Sequence, residues 1–336
     1  MKFVTFRFEK DYSKFLNGYI KEGDEKYLYN INKWSKEAIS QGVSPEEIVG
    51  IHRTALLTIP EKLPDIVLSS LEVLMTVMVN YGADYRRNLI IKKQQEELQK
   101  EILKAGKIQK SLLQTEIPSK EHLDVGVCDK PANQMSGDYY HFFENETAIT
   151  VSLADVIGKG IPAALAMSML KYGMQNAPDD VVSVSGMLSY LNKVVEENIS
   201  DNMFITMFLG VYDKSNKVFT YSSAGHEIGF WYNALDNEYQ DLYAKGLMLG
   251  IQEEVTYHEY QRSLSIGDFI VVLSDGVTET RIGDGFIERE TLKELIYSFH
   301  ELSAQDIADN VYKKLAELQN FKLYDDFTLI IIKRIT

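Results

Sequence analysis

From about residue 9 to 87, apolar side chains recur at spacings of three and four with few β-branched runs, which predicts helices packed as a bundle. Ser44 before Pro45, with Glu47 three residues beyond the cap, predicts a helix start and a helix over roughly 45–58. Another helix is expected from Pro64. It carries Ile66, Val67, Leu71, Leu74, Met75, Met78 and Val79 and is nearly apolar all round, so it needs cover on more than one side, from its own bundle or from a second copy or partner.

Residues 88–115 change character: they are charged, free of proline, and place Ile91, Leu98, Ala105 and Leu112 seven apart. A helical coiled-coil linker fits this spacing, although Gln94 and Glu101 precede Ile108 at the second heptad position and Ile102 intrudes; a single solvated helix is the alternative. Pro118 is expected to end it. From about 122 the pattern turns to short β-rich runs, DVGVC, AITVSLAD, ITMFLGVYD, KVFTYSSAG, IGFWY, FIVVLSDG and FTLIIIKR, interrupted by helical stretches near 162–176, 184–198, 291–298 and 303–319. The expected organisation is a helical bundle over 1–87, a linker over 88–119 and an α+β domain of mostly antiparallel strands over 120–336.

Charge narrows the function classes. The chain has 336 residues, with 35 basic and 49 acidic side chains, a net charge of −14. Residues 1–120 hold 19 basic and 16 acidic side chains, which leaves 16 and 33 for residues 121–336. A nucleic-acid partner is disfavoured, since phosphate backbones require an electropositive face. The single cysteine, Cys128, allows no intrachain disulfide and suits a reducing compartment. The N-terminus lacks a signal-peptide core and no stretch reaches the ~20 apolar residues that span a bilayer, so a cytoplasmic location without membrane attachment is expected.

Acidic residues stand where strands are expected to stop: Asp138 in SGDYY, Asp155 in LADVIGKG, Asp275 in VLSDGVTE, and Asp325 with Asp326 in LYDDFTLI. Singly, each is ordinary turn chemistry. Together, strand ends that converge on one rim would cluster carboxylates that repel unless a cation neutralises them, and oxygen-only ligands favour Mg²⁺ or Mn²⁺ over zinc.

SGDYY, ADVIGKG with IPAA, SAGH, SDGVTE and DDFTLI, in that order over about 120–336, resemble the PPM (type 2C) metal-dependent serine/threonine phosphatases, in detail the SpoIIE-type branch. EEIVGIHR and AGKIQKSLL extend the resemblance to RsbU-like phosphatases over nearly the whole chain. The resemblance implies a four-layer αββα sandwich with two Mn²⁺ or Mg²⁺ ions between its sheets. It implies that Asp155 bridges both ions, that the Val156 carbonyl binds one, and that Asp138, Asp275 and one of Asp325 and Asp326 complete the set, with Asp325 favoured. Two ions roughly 4 Å apart would orient and acidify a water and neutralise phosphoryl oxygens. The implied substrate is a phosphorylated STAS-domain anti-sigma antagonist in a general-stress sigma-factor pathway. The implied activator is a serine-kinase-like switch protein on the N-terminal domain, with a homodimer formed through that domain and the linker. The helices near 162–176 and 184–198 would form a movable element that completes the site.

Two departures from the family pattern stand out. No counterpart is evident for the arginine that many members place on the substrate phosphate, and Ile228 stands where proline is common after the histidine. His226 reads as a structural histidine in a tight loop, with a substrate role as the alternative. Ser136 lacks an adjacent base and Cys128 lies in an apolar run, so neither reads as a nucleophile. IGKGIPAA lacks Walker spacing, and Gly160 with Pro162 reads as a helix start. A catalytically weak scaffold and a metal-dependent phosphodiesterase remain as other functions.

Overall fold

The computed structural model describes residues 2–59, 64–133, 136–158, 160–179, 181–199, 203–283 and 285–336. The chain divides into two compact units, Met1–Gln99 and Lys100–Thr336. The division falls inside a helix, within the span 88–119 expected to be a helical linker.

The first unit contains α1 (Lys2–Glu22), α2 (Glu25–Ser40), α3 (Pro45–Leu57) and most of α4 (Asp65–Leu113). Its core gathers Phe8, Tyr12, Leu16, Trp34, Ala38, Ile51 and Ala55, one stripe from each of the first three helices. Trp34 Nε1 donates to the Phe8 carbonyl at 3.1 Å, so burying the indole leaves no unpaired donor. The capping box at α3 forms as its sequence dictates: Ser44 N donates to Glu47 Oε2 at 2.8 Å, and Glu47 N donates back to Ser44 Oγ at 3.4 Å.

The helix expected from Pro64 and the expected linker are one 49-residue helix, α4. The side chains of Ile66, Leu71 and Met75 lie outside the described residues. Leu74, Val79, Ile91 and Leu98 are exposed. α4 ends at Leu113, before Pro118, and the reason is tertiary. Lys171 Nζ donates to the carbonyls of Leu112 and Gln114 at 2.6 and 2.9 Å, satisfying the end of the helix with a cation, which also suits its dipole. The chain then leaves helical geometry so that Thr115 Oγ1 can accept from Phe142 N and donate to Phe142 O, at 2.9 and 3.1 Å.

The second unit is a sandwich. Its elements are β1 (Leu123–Lys130), β2 (Asp138–Glu144), β3 (Ala148–Val156), α5 (Ile161–Gln175), α6 (Val184–Asn198), β4 (Ile205–Asp213), β5 (Val218–Ala224), β6 (Phe230–Asn233), β7 (Glu238–Asp241), β8 (Tyr260–Ser263), β9 (Phe269–Leu273), α7 (Asp275–Thr278), β10 (Arg281–Ile282), β11 (Gly285–Phe286), α8 (Arg289–Tyr297), α9 (Ala304–Leu318) and β12 (Phe327–Arg334). One antiparallel sheet runs β1-β12-β9-β6-β7 and the other β2-β3-β4-β5-β8, with β10-β11 a small separate ribbon.

Alternation along the strands builds the layers. Ile270, Val272, Ile330 and Ile332 point between the sheets, where they meet Val151, Leu153, Phe208 and Phe219. Val271, Leu273, Leu329 and Ile331 point outward onto Leu292, Ile296, Ile307 and Val311 of α8 and α9. Ala154, Val156 and Met207 face the opposite way, onto Met167, Leu170, Leu188 and Leu191 of α5 and α6. The result is the expected helix–sheet–sheet–helix stack. FIVVL and FTLIII read as continuous apolar runs because both of their faces are covered.

Candidate active site

The carboxylates converge because antiparallel strands alternate direction, so the start of one strand and the end of its neighbour share a rim. Asp138 opens β2 and pairs with Asp155 near the end of β3. Asp275 follows β9, and Asp325 with Asp326 precedes β12, the strand beside it. The expectation that every one of these acids closes a strand is therefore corrected. Asp138 and the Asp325–Asp326 pair lie at strand starts, and the rim needs both kinds of end.

Gly137 measures the convergence: a Cβ built there would lie 3.2 Å from Asp326 Oδ2 and 3.4 Å from Asp155 Oδ1. The loop before β2 thus passes between two carboxylates, and only a residue without a side chain fits without displacing one. Gly276 is tighter still, because its Cβ would meet the Asp326 carbonyl oxygen at 2.1 Å. The ends of β9 and β12 are tied by Ser274, whose Oγ accepts from Thr328 N at 3.0 Å and donates to Asp326 O at 3.2 Å.

The two members of the DDFT pair do different work. Asp326 is buried and spends its carboxylate on backbone, Oδ1 accepting from Ala132 N at 2.7 Å and Oδ2 from Gly137 N. It holds Ala132 and Gly137 against the rim. Asp325 is partly exposed and stands near enough to Asp275 to raise its pKa.

Electrostatics set this rim apart. Burial, with Asp155 next in weight, pushes the Asp138 carboxyl well above the usual range, against the stabilising hydrogen bond from Thr328 Oγ1 to Asp138 Oδ2 at 2.6 Å. Burial, Asp325 and Glu279 push Asp275 up to about 6, and Glu227 adds to the effect. The strongest charged neighbours of both are other carboxylates. Among the described residues, no three His, Cys, Asp or Glu side chains are drawn into a ready-made cation cage. The donor set nevertheless fits a hard divalent cation: it is oxygen only, crowded and anionic, and a bound cation would relieve both the desolvation and the repulsion. Val156 is buried at the end of β3, with its N–H donated to Gly137 O at 3.1 Å, so its carbonyl is at the same rim.

Several participants were not singled out in the sequence. Asp129, on β1 opposite Thr328, has its pKa raised by burial and by Asp326. Glu279 and Glu227 flank Asp275 electrostatically. Thr328 had a visible signal, a polar residue inside an apolar run; Asp129, Glu279 and Glu227 had none beyond being acidic.

His226 sits at the end of β5 with Nδ1 2.9 Å from Thr206 Oγ1 and its backbone N–H donated to Ser223 Oγ at 3.1 Å. Burial lowers its pKa to about 4, so it is a neutral, structurally anchored ring. Burial pushes the Cys128 thiol up to about 12, which removes it as a nucleophile at neutral pH. Ser136 Oγ accepts from Asp138 N at 3.1 Å and so orients the loop. No helix among the described residues is long and apolar enough to cross a membrane.

Comparison with known proteins extends these observations. Residues 145–335 match the family of stage II sporulation protein E (SpoIIE), and residues 10–83 match the N-terminal domain of the phosphoserine phosphatase RsbU. The chain is 46% identical to phosphoserine phosphatase RsbU of Bacillus subtilis over 97% of both chains. Among solved structures, the PP2C domain of SiaA from Pseudomonas aeruginosa superposes with a TM-score of 0.61 at 18% identity, covering 71% of this chain and 98% of that one. The RsbU and RsbW domains of a Mycobacterium tuberculosis protein superpose with a TM-score of 0.55 at 22% identity, covering 64% of this chain and 60% of that one. Both likenesses establish the PP2C-type fold.

Proposed function

The chain belongs to the SpoIIE-type serine phosphatases, in the RsbU group, and on that premise we propose that it removes phosphate from a phosphorylated STAS-domain anti-sigma antagonist. It is a protein serine phosphatase of the stress-response partner-switching type. The observation that carries the reading is the rim that brings Asp138, Asp155, Asp275 and the Asp325–Asp326 pair from different strands, where Asp155 and Asp326 add to the cost of charge on Asp138 and Asp325 adds to that on Asp275.

The residues fit two Mn²⁺ or Mg²⁺ ions. Asp155, Asp138, Asp275 and Asp325 would hold them with the Val156 carbonyl, while Asp326, spent on two backbone amides, supports the loop. When bound, such ions supply an activated water and neutralise phosphoryl charge. The chain's own part is positional. Thr328 and Ser274 fix Asp138 and the β9–β12 corner, and Asp326 holds the Gly137 amide at the rim. With Cys128 and Ser136 otherwise engaged, direct attack of water on phosphorus is favoured over a covalent enzyme intermediate.

Activation by a switch protein on residues 1–87, dimerisation through α4 and a cytoplasmic location complete the proposal. The exposed Ile91, Leu98 and Leu112, seven or fourteen residues apart and so on one side of the helix, support a pairing face on α4. The last turn of α4 supports coupling to the site: Gln109 Nε2 donates to the Ser136 carbonyl at 3.1 Å, two residues before Asp138. Turnover of a serine-phosphorylated STAS-domain protein with Mn²⁺, measured beside a cyclic dinucleotide, tests the reading. Release of phosphate from the protein alone is expected; hydrolysis of the dinucleotide alone would make the chain a phosphodiesterase, and neither would make it a scaffold.

A further inference from the structure

Residues 121–336 carry 16 basic against 33 acidic side chains, so two cations gathered beside the carboxylate rim call for a reason. A cavity of about 220 Å³ adjoins Gly276 and Asp325 and is walled by Glu279, Arg281, Phe286 and Tyr324. Arg281 opens β10, and its guanidinium carbon lies 4.2 Å from the centroid of the Tyr324 ring. Lys322 Nζ lies 4.7 Å from the same centroid. Tyr324 immediately precedes Asp325, so this ring and its cations are attached to the rim itself.

The geometry suits an anion more than it suits stability. A guanidinium that stacks by its face on an aromatic ring keeps its N–H donors at its edge, where they remain able to bind a planar or tetrahedral oxyanion bidentately. Among the described residues Arg281 and Lys322 form no ion pair, whereas Arg289, on α8, is held by Glu227 at 2.8 Å. The base of the ribbon is anchored: Thr280 is fully buried and its carbonyl accepts from Ile287 N at 2.9 Å. Arg281 thus leaves a fixed point and lies over the Tyr324 ring.

We propose that Arg281, shelved on Tyr324 and seconded by Lys322, clamps an oxyanion of the phosphoprotein substrate in the cavity beside Asp325. This inference rests on the phosphatase reading. The oxyanion has two sources in such a substrate, the phosphate itself and an acidic side chain next to the phosphoserine. Either way Arg281 is a substrate-binding residue.

The test is steady-state kinetics of the full chain with Mn²⁺, for the parent, Arg281→Ala, Arg281→Lys and Lys322→Ala, on a serine-phosphorylated STAS-domain protein and on p-nitrophenyl phosphate. Arg281→Ala should raise KM for the phosphoprotein about tenfold with kcat within about twofold of the parent. Arg281→Lys should recover only part of the loss, and Lys322→Ala should show a smaller one. A parallel rise of KM for p-nitrophenyl phosphate identifies the phosphate as the clamped group, and an unchanged value identifies a neighbouring acidic side chain. An Arg281→Ala protein that melts like the parent and keeps its phosphoprotein KM overturns the clamp. A parent with no Mn²⁺-dependent turnover overturns the phosphatase reading instead, so the two failures are distinguishable.

Discussion

Asp138 and Asp155 occupy directly opposed positions in the register of β2 and β3, so two carboxylates face each other across adjacent strands at the rim of the sandwich. Like charges in this arrangement destabilise a sheet, and a fold that keeps them does so for what they bind.

Asp155→Asn should therefore separate stability from activity. Without divalent cation, the substitution removes one charge from the pair and is expected to raise unfolding free energy by about 0.5–1 kcal/mol. With Mn²⁺ it should lower phosphoserine turnover by orders of magnitude. Denaturant unfolding and phosphate release on the same preparation check both. Unchanged turnover would show that the site lies elsewhere on the rim.

Divalent cation should stabilise the fold as well as support turnover. A ligand that binds only the native state adds about 2.7 kcal/mol when present at a hundred times its dissociation constant. Mn²⁺ or Mg²⁺ should thus raise Tm, and chelator should lower it while abolishing activity. A melting curve indifferent to both additions would count against a cation on these carboxylates.

The two buried histidines of the phosphatase unit should each contribute a loss of stability in mild acid, opposite in sign to the contribution of the raised Asp138 and Asp275 carboxyls. His141, buried on β2 beside the Lys171 charge, and His226 are each lowered to about 4, whereas an unfolded histidine titrates near 6.5. Between these values the unfolded chain binds protons that the folded chain does not, so each group's contribution is present above about 6.5 and is lost as pH falls through about 4. The loss is on the order of 1–3 kcal/mol per histidine. His141→Asn should flatten the dependence of unfolding free energy on pH over that window relative to the parent, and equal slopes would refute the assignment.

The intact chain should be a dimer whose pairing depends on α4. Leu98→Lys should weaken it, as measured by light scattering, and a parent that stays monomeric at micromolar concentration would remove the premise. A flexible Gly-Ser insertion near Lys104 should leave metal-dependent basal turnover intact while abolishing stimulation by a bound switch protein. An insertion variant that binds and responds as fully as the parent would reduce the helix to a tether.

Local order was legible in the residues themselves. The α3 capping box needs only Ser44, Pro45 and Glu47, all within one turn, and α5, α6, α8 and α9 lie within about three residues of their expected bounds. FIVVL and FTLIII announced buried strands because both faces are covered. Strand β2 was missed because its burial does not alternate, and β7 because most of it faces solvent. The candidate acids could be named one by one, yet their meeting could not be deduced from spacing. It depends on antiparallel pairing that places the start of β2 beside the end of β3, and on Thr328 reaching Asp138 across 190 positions of chain. The end of α4 at Leu113, the different duties of Asp325 and Asp326, and the stacking of Arg281 on Tyr324 have the same origin. Helix caps and apolar periodicity are interactions between near neighbours, so composition within a few residues determines them. A charged rim is made by groups far apart in sequence, and only the packed sheets decide which of them share it.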